Sequence, residues 1–175
     1  MEKTYLIVGL GNPGMDYADT RHNVGFMVLE RLAKRLDAEW EVSKKFTAHL
    51  AKGRQDGNTV LLSKPQGYMN LSGQSVAPLA KFYQIPNGRI MVVVDDLDLP
   101  LGTVRMRPSG GTGGHRGLDS IQGLLGKDDF PRLRLGIGRP EPNRDVCGFV
   151  LGKFTETETE LLEKVLKTAA YQLAC

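Results

Sequence analysis

The chain has 175 residues, 41% of them hydrophobic and 25% charged, which is the balance of an ordinary globular domain. No apolar run approaches the roughly 20 residues of a membrane span. Cys147 and Cys175, with three scattered histidines, give neither a disulfide framework nor a zinc spacing. A strand-like run starts too early for a signal peptide, so one intracellular, cytoplasmic domain over residues 1–175 is expected. Net charge is only +3, but residues 101–145 hold eight Lys/Arg against five Asp/Glu, while 1–100 hold twelve against eleven. Such a local excess suits a polyanionic partner held at one face, the alternative being an ordinary solvated surface.

Tyr5-Leu6-Ile7-Val8 reads as a short buried strand that Gly9, Gly11 and Gly14 break into a tight turn. The spacing also fits the dinucleotide fingerprint, for which the third glycine must enter a helix that cradles a pyrophosphate. Pro13 removes a donor from that turn, Met15 to Thr20 are not amphipathic, and Glu30 lies in a helical pattern instead of at a second strand's end. Val24, Met27, Val28, Leu32 and Leu36 then predict a helix over roughly 22–36, with His22 at or before its first turn. A positive helix end there favours a neutral imidazole, as a general base requires; a capping or packed histidine is the competing reading.

Residues 46–53 and 58–64 read as a hairpin around Gln55-Asp56-Gly57, and His49 within it as structural. Pro65 to Gly73 is a loop into a helix carrying Val76, Leu79, Ala80 and Tyr83, with Asn70 or Ser72 able to serve as its N-cap. Ile90 to Val94 looks like a central strand ending in Asp95, Asp96 and Asp98. Three carboxylates so close are costly unless a partner such as an imidazolium is near. Thr103 to Arg107 alternates, placing Arg105 and Arg107 on one face. Five glycines in Pro108 to Gly117 then form either an anion-binding nest or a flexible lid ahead of a helix, and Gly126 suits that helix's C-cap. Arg132 and Arg134 share a face of another strand. Thr155-x-x-Glu158 is a capping box for a last helix striped by Leu161, Leu162, Val165, Leu166, Ala169 and Leu173, which either packs on the sheet or covers the substrate side.

The chemistry-bearing residues are thus a histidine, a strand-tip aspartate, the amides Asn12 and Asn70, a glycine loop and arginine pairs. There is no G-x-S-x-G elbow and no cysteine near a histidine, which leaves water as the nucleophile. A carboxylate-oriented histidine can activate it, with amides or loop N–H groups holding the oxyanion.

The series Gly9-Leu10-Gly11-Asn12-Pro13-Gly14, Thr20-Arg21-His22-Asn23-Val24-Gly25, Tyr68-Met69-Asn70-Leu71-Ser72-Gly73, Asp95-Asp96-Leu97-Asp98-Leu99-Pro100, Gly113-Gly114-His115, Leu133-Arg134-Leu135-Gly136-Ile137-Gly138 and Gly148-Phe149-Val150-Leu151 resembles the motif series of bacterial-type peptidyl-tRNA hydrolases, in order and over nearly the whole chain. The resemblance implies a single α/β domain with a twisted mixed β-sheet flanked by helices, monomeric, using neither metal nor other cofactor. It implies hydrolysis of the ester between a peptide's C-terminus and the tRNA 3′ ribose. In that reading His22 is the general base, Asp95 orients it, Asn12 senses the acylated peptide group, and Asn70 donates on the substrate and oxyanion side. Tyr17 and Tyr68 meet the tRNA 3′ end, Met69 is a further substrate- or tRNA-binding residue, and Arg107 and Arg134 grip the 5′ phosphate. Arg116 stands where the family usually has Asn, so it reaches either a phosphate or solvent. The chain also ends earlier than typical members. A non-catalytic RNA-binding relative, similar to plastid splicing factors, and a dinucleotide-binding oxidoreductase are the alternatives.

Overall fold

The computed structural model describes residues 1–174. Seven strands form one mixed sheet: β1 Thr4–Gly9, β2 Glu41–Ser43, β3 Ala48–Gln55, β4 Asn58–Pro65, β5 Ile90–Asp96, β6 Val104–Arg107 and β7 Arg132–Gly136. Their spatial order is β2-β3-β4-β1-β5-β7-β6. The four central strands β4, β1, β5 and β7 are mutually parallel, and antiparallel strands flank them on both sides. The helices are α1 Val24–Arg35, α2 Ser72–Phe82, α3 Arg116–Leu125, the short α4 Val146–Val150 and α5 Thr159–Leu173.

Alternation along the strands divides the core in two. Ile7 and Val93 face one side, where Val28, Leu29 and Leu32 of α1 and Leu162, Val165, Leu166 and Ala169 of α5 cover them. Leu6, Val8, Val92 and Val94 face the other, against Val76 and Leu79 of α2 and Leu118 and Ile121 of α3. Chain leaving β1 therefore turns onto one face and chain leaving its neighbour β4 onto the other. Between their carboxyl ends lies the crevice where open α/β sheets bind ligands.

The hairpin turn is the two-residue Asp56-Gly57, both at positive φ, with Gln55 still in the strand. The helix expected from residue 22 starts as a 3-10 turn over Arg21–Asn23 and becomes α-helical at Val24. Neither Asn70 nor Ser72 caps α2. The chain enters through a 3-10 turn, Met69–Leu71, and the Ser72 hydroxyl donates backwards to the Met69 carbonyl. Gly126, at φ 78°, ends α3 as expected, and the Thr155/Glu158 capping box is formed. α5 takes the packing role, while α4 stands over the crevice.

No helix among the described residues is long and apolar enough to cross a membrane. The dinucleotide reading fails on geometry: the residues after Gly14 are turns, so no helix N-terminus cradles a pyrophosphate. Gly9 instead serves packing, since a Cβ there would lie 2.4 Å from the Gly25 carbonyl oxygen. That contact seats the start of α1 directly over the strand ends.

Candidate active site

His22 is delivered by the 3-10 turn ahead of α1, and Asp95 by the carboxyl end of β5. The His22 Nδ1 lies 2.8 Å from Asp95 Oδ2, in a site where both side chains are largely buried. Burial alone would push the Asp95 carboxyl up; the imidazoles of His115 and His22 outweigh it and hold the group well below the usual carboxylate range. With the carboxylate ionised, the proton between the two sits on His22 Nδ1. The Nε2 lone pair is then the free, basic end of the ring.

Asn12 is fixed from three directions. The Asn23 side chain accepts from the Asn12 backbone N–H and donates to its carbonyl, both at 2.8 Å, while Asn12 Oδ1 accepts from the Met69 N–H at 2.7 Å. That last bond ties the end of β1 to the loop after β4 and leaves the Asn12 amide N–H₂ as the group offered to the crevice. Tyr68, one residue earlier, has φ 68° and ψ 157°. The residue is 54% exposed, and its ring meets the Tyr17 ring edge-on, with centroids 6.3 Å apart. Asn70 is exposed at the rim.

The acidic tip is fully partnered. Besides Asp95, Asp96 lies 3.5 Å from an Arg134 nitrogen and accepts from the Asp98 backbone N–H, and Asp98 accepts from Arg139 Nε at 2.9 Å. Together these residues line a cleft of about 460 Å³ whose far wall is Val146, Cys147, Val150 and Leu151 of α4 and its end. His22, Asp95 and His115 are the one His/Cys/Asp/Glu cluster, among the described residues, close enough to hold a metal ion, their ligand atoms lying within 4.8 Å of one another. The atoms that would do so are already hydrogen-bonded to each other, which leaves His22 Nε2 as the open lone pair.

Residues 6–175 match the family model described as peptidyl-tRNA hydrolase. The chain belongs to the peptidyl-tRNA hydrolase family. It is 49% identical over 170 residues to a peptidyl-tRNA hydrolase of Mycobacterium avium, covering 97% of this chain and 89% of that one. It is equally identical to that of Synechococcus sp., covering 97% and 76%. The crystal structure of the Acinetobacter baumannii peptidyl-tRNA hydrolase superposes with a TM-score of 0.92 at 42% identity, over 97% of this chain and 86% of that one. The α/β architecture with its mixed sheet is thus that of solved peptidyl-tRNA hydrolases.

Of the residues singled out from the sequence, His22, Asp95, Asn12, Tyr68, Met69, Asn70, Arg116 and Arg134 all line the one cleft. Tyr17 joins them through Tyr68. Arg107 lies outside the cleft, exposed on the edge strand β6. Arg134 is not a free cation, because besides Asp96 it donates to the Gly111 carbonyl at 2.9 Å. Arg132, expected to share its strand face, is fully buried and donates to the carbonyls of Gly111, Asp128 and Phe130. Two contributors have no assigned role in the sequence reading. Asn23 and His115 are visible there only as members of quoted motifs; the signal for His115 was its place immediately before an apolar helical stripe, where N-caps stand.

Proposed function

We propose that this member of the peptidyl-tRNA hydrolase family cleaves the ester joining a peptide's C-terminus to the 3′ ribose of tRNA, with His22 activating water. The observation that carries the reading is the 2.8 Å His22–Asp95 pair, whose free Nε2 lies in the shared cleft. Nε2 takes a proton as the water oxygen adds to the ester carbonyl carbon. The imidazolium so formed lies against the Asp95 carboxylate, and it returns the proton to the 3′ oxygen as the C–O bond breaks. Asn70, at the rim, donates to the oxyanion, and the Asn12 amide N–H₂ meets the carbonyl of the acylated peptide group. An N-blocked substrate presents that carbonyl where a free aminoacyl group does not.

For the tRNA, Tyr17 and Tyr68 receive the 3′ terminal bases, with the buried Met69 lining the cleft beside them, and Arg107 and Arg134 the 5′ phosphate, with Arg116 extending the same positive rim. Cross-strand register supports this arrangement, since Arg105 lies opposite Arg134 and Arg107 beside it on the same strand face, which puts three cations on one face of the sheet edge, the fourth, Arg132, being buried and bound to carbonyls. A phosphate bound there must draw Arg134 away from Asp96. The reading also keeps the protein a cytoplasmic monomer that needs no metal or other cofactor.

The test is release of intact tRNA from N-acetyl-aminoacyl-tRNA by the purified protein in excess chelator. Multiple turnover is expected. Binding of that substrate with no release would instead make the chain a non-catalytic RNA-binding relative.

A further inference from the structure

His115 stands at the N-cap of α3 and is bound on both sides of its ring. Nδ1 accepts from the backbone N–H groups of Gly117 at 3.1 Å and Leu118 at 3.3 Å. Nε2 lies 2.7 Å from Asp95 Oδ1, with the side chain only 11% exposed. An imidazole nitrogen that accepts N–H bonds carries no proton, so a single arrangement satisfies every neighbour: Nδ1 bare and Nε2–H donating to Asp95. Protonating Nδ1 would turn it against two backbone donors at the positive end of a helix.

We propose that His115 is a positioning residue, locked by the end of α3 as the neutral Nε2–H tautomer, and that it holds Asp95 in the orientation that aligns His22. Asp95 then receives one N–H on each oxygen, from His115 on Oδ1 and from His22 on Oδ2. Neither carboxylate rotation nor a shift of its plane is possible without breaking one of them. The lock also has an electrostatic consequence. The two rings are 5.1 Å apart between centroids, so a charged His115 would oppose the imidazolium that His22 becomes during turnover, whereas a neutral donor does not. The charged groups that line the same cleft as the pair are Asp95 between them, Arg116 at the start of α3, Arg134 from β7, which is tied to Asp96, and Arg139, which is tied to Asp98.

The kinetic part of the test rests on the hydrolase reading; the spectroscopic part does not. In protein with ¹⁵N-labelled histidine, long-range ¹H–¹⁵N correlation at pH 7 is expected to report His115 with Nδ1 unprotonated and Nε2 protonated. His115→Asn keeps a good helix cap but cannot reach Asp95, so kcat on N-acetyl-aminoacyl-tRNA is expected to fall about 10- to 100-fold with KM within twofold, as when an outer partner of a functional side chain is lost. His115→Gln, which returns an amide N–H near the Nε2 position, is expected to recover most of that loss. An Nδ1–H or doubly protonated ring, or a His115→Asn kcat within twofold of wild type, overturns the proposal. If neither wild type nor variant turns over, the hydrolase reading fails while the tautomer result stands on its own.

Discussion

Tyr68 carries the clearest local cost in the site. Its φ of 68° with ψ 157° lies in a region that is almost reserved for glycine and costs other residues about 1–3 kcal/mol. In return the peptide that follows points the Met69 N–H at Asn12 Oδ1, and the ring stands against Tyr17. Two substitutions separate backbone from ring. Tyr68→Ala loses the ring and keeps the strain, whereas Tyr68→Gly loses both, so the glycine variant should be more stable than the alanine one by about 1 kcal/mol, the reverse of the usual order. Urea titration of the two checks this, and equal stability would mean that the backbone is not strained. Both should bind substrate more weakly than wild type.

Asp95 is a residue whose two roles pull on pH in one direction. Its native carboxyl is held below the ordinary range, so it contributes stability that is fully present above its unfolded value of about 3.9 and is lost as pH falls toward the lowered native value. Between pH 5 and pH 3 the wild type should therefore lose more thermal stability than Asp95→Asn, which has no proton to take up. Parallel loss in the two proteins would remove Asp95 as a source of acid sensitivity.

Among the elements, those with a strong period were legible and those without one were not. The stripes of α1, α3 and α5 and the apolar runs of β1 and β5 follow directly from spacing, because each buries one face against a layer. β2 is three residues with no buried position, too short and too polar for an alternation to register. α4 is five residues with none buried, and it acts as the cleft's far wall instead of as core. Its attachment is equally non-local: Arg21, next to His22, donates to the Phe149 carbonyl, pairs with Glu158 and lies over the Phe149 ring.

The strand pair β6–β7 shows how alternation can mislead. Arg132 and Arg134 do share a face, yet the glycine loop folds over it and buries Arg132 completely, so one arginine becomes a tether and its neighbour stays partly exposed. This separates three alanine variants. Arg107→Ala and Arg134→Ala should each flatten the log–log salt dependence of tRNA binding by about one unit, as expected for a lost phosphate contact. Arg132→Ala should leave that slope unchanged and cost about 3 kcal/mol of stability, because buried carbonyls lose their donors. Unaltered slopes for Arg107 and Arg134 would return both to an ordinary solvated surface.

For the molecule as a whole, the composition pointed to a polyanion and the resemblance to a reaction, but the site itself depends on contacts that no local window contains. His22 and Asp95 are 73 residues apart in sequence, Asn12 and Met69 are 57 apart, and both pairs meet because the parallel centre of the sheet brings its carboxyl ends to one edge. The glycine turn that resembles a cofactor loop is explained by the same geometry. It is the close seat of α1 on β1, and it presents Asn12 beside His22. The hydrolytic reading rests on that histidine acting as the base. Single-turnover hydrolysis of N-acetyl-aminoacyl-tRNA by His22→Ala, with tRNA affinity measured in parallel, tests it most directly: affinity within about twofold of wild type and a rate at least ~100-fold lower is expected, and an unchanged rate would contradict it.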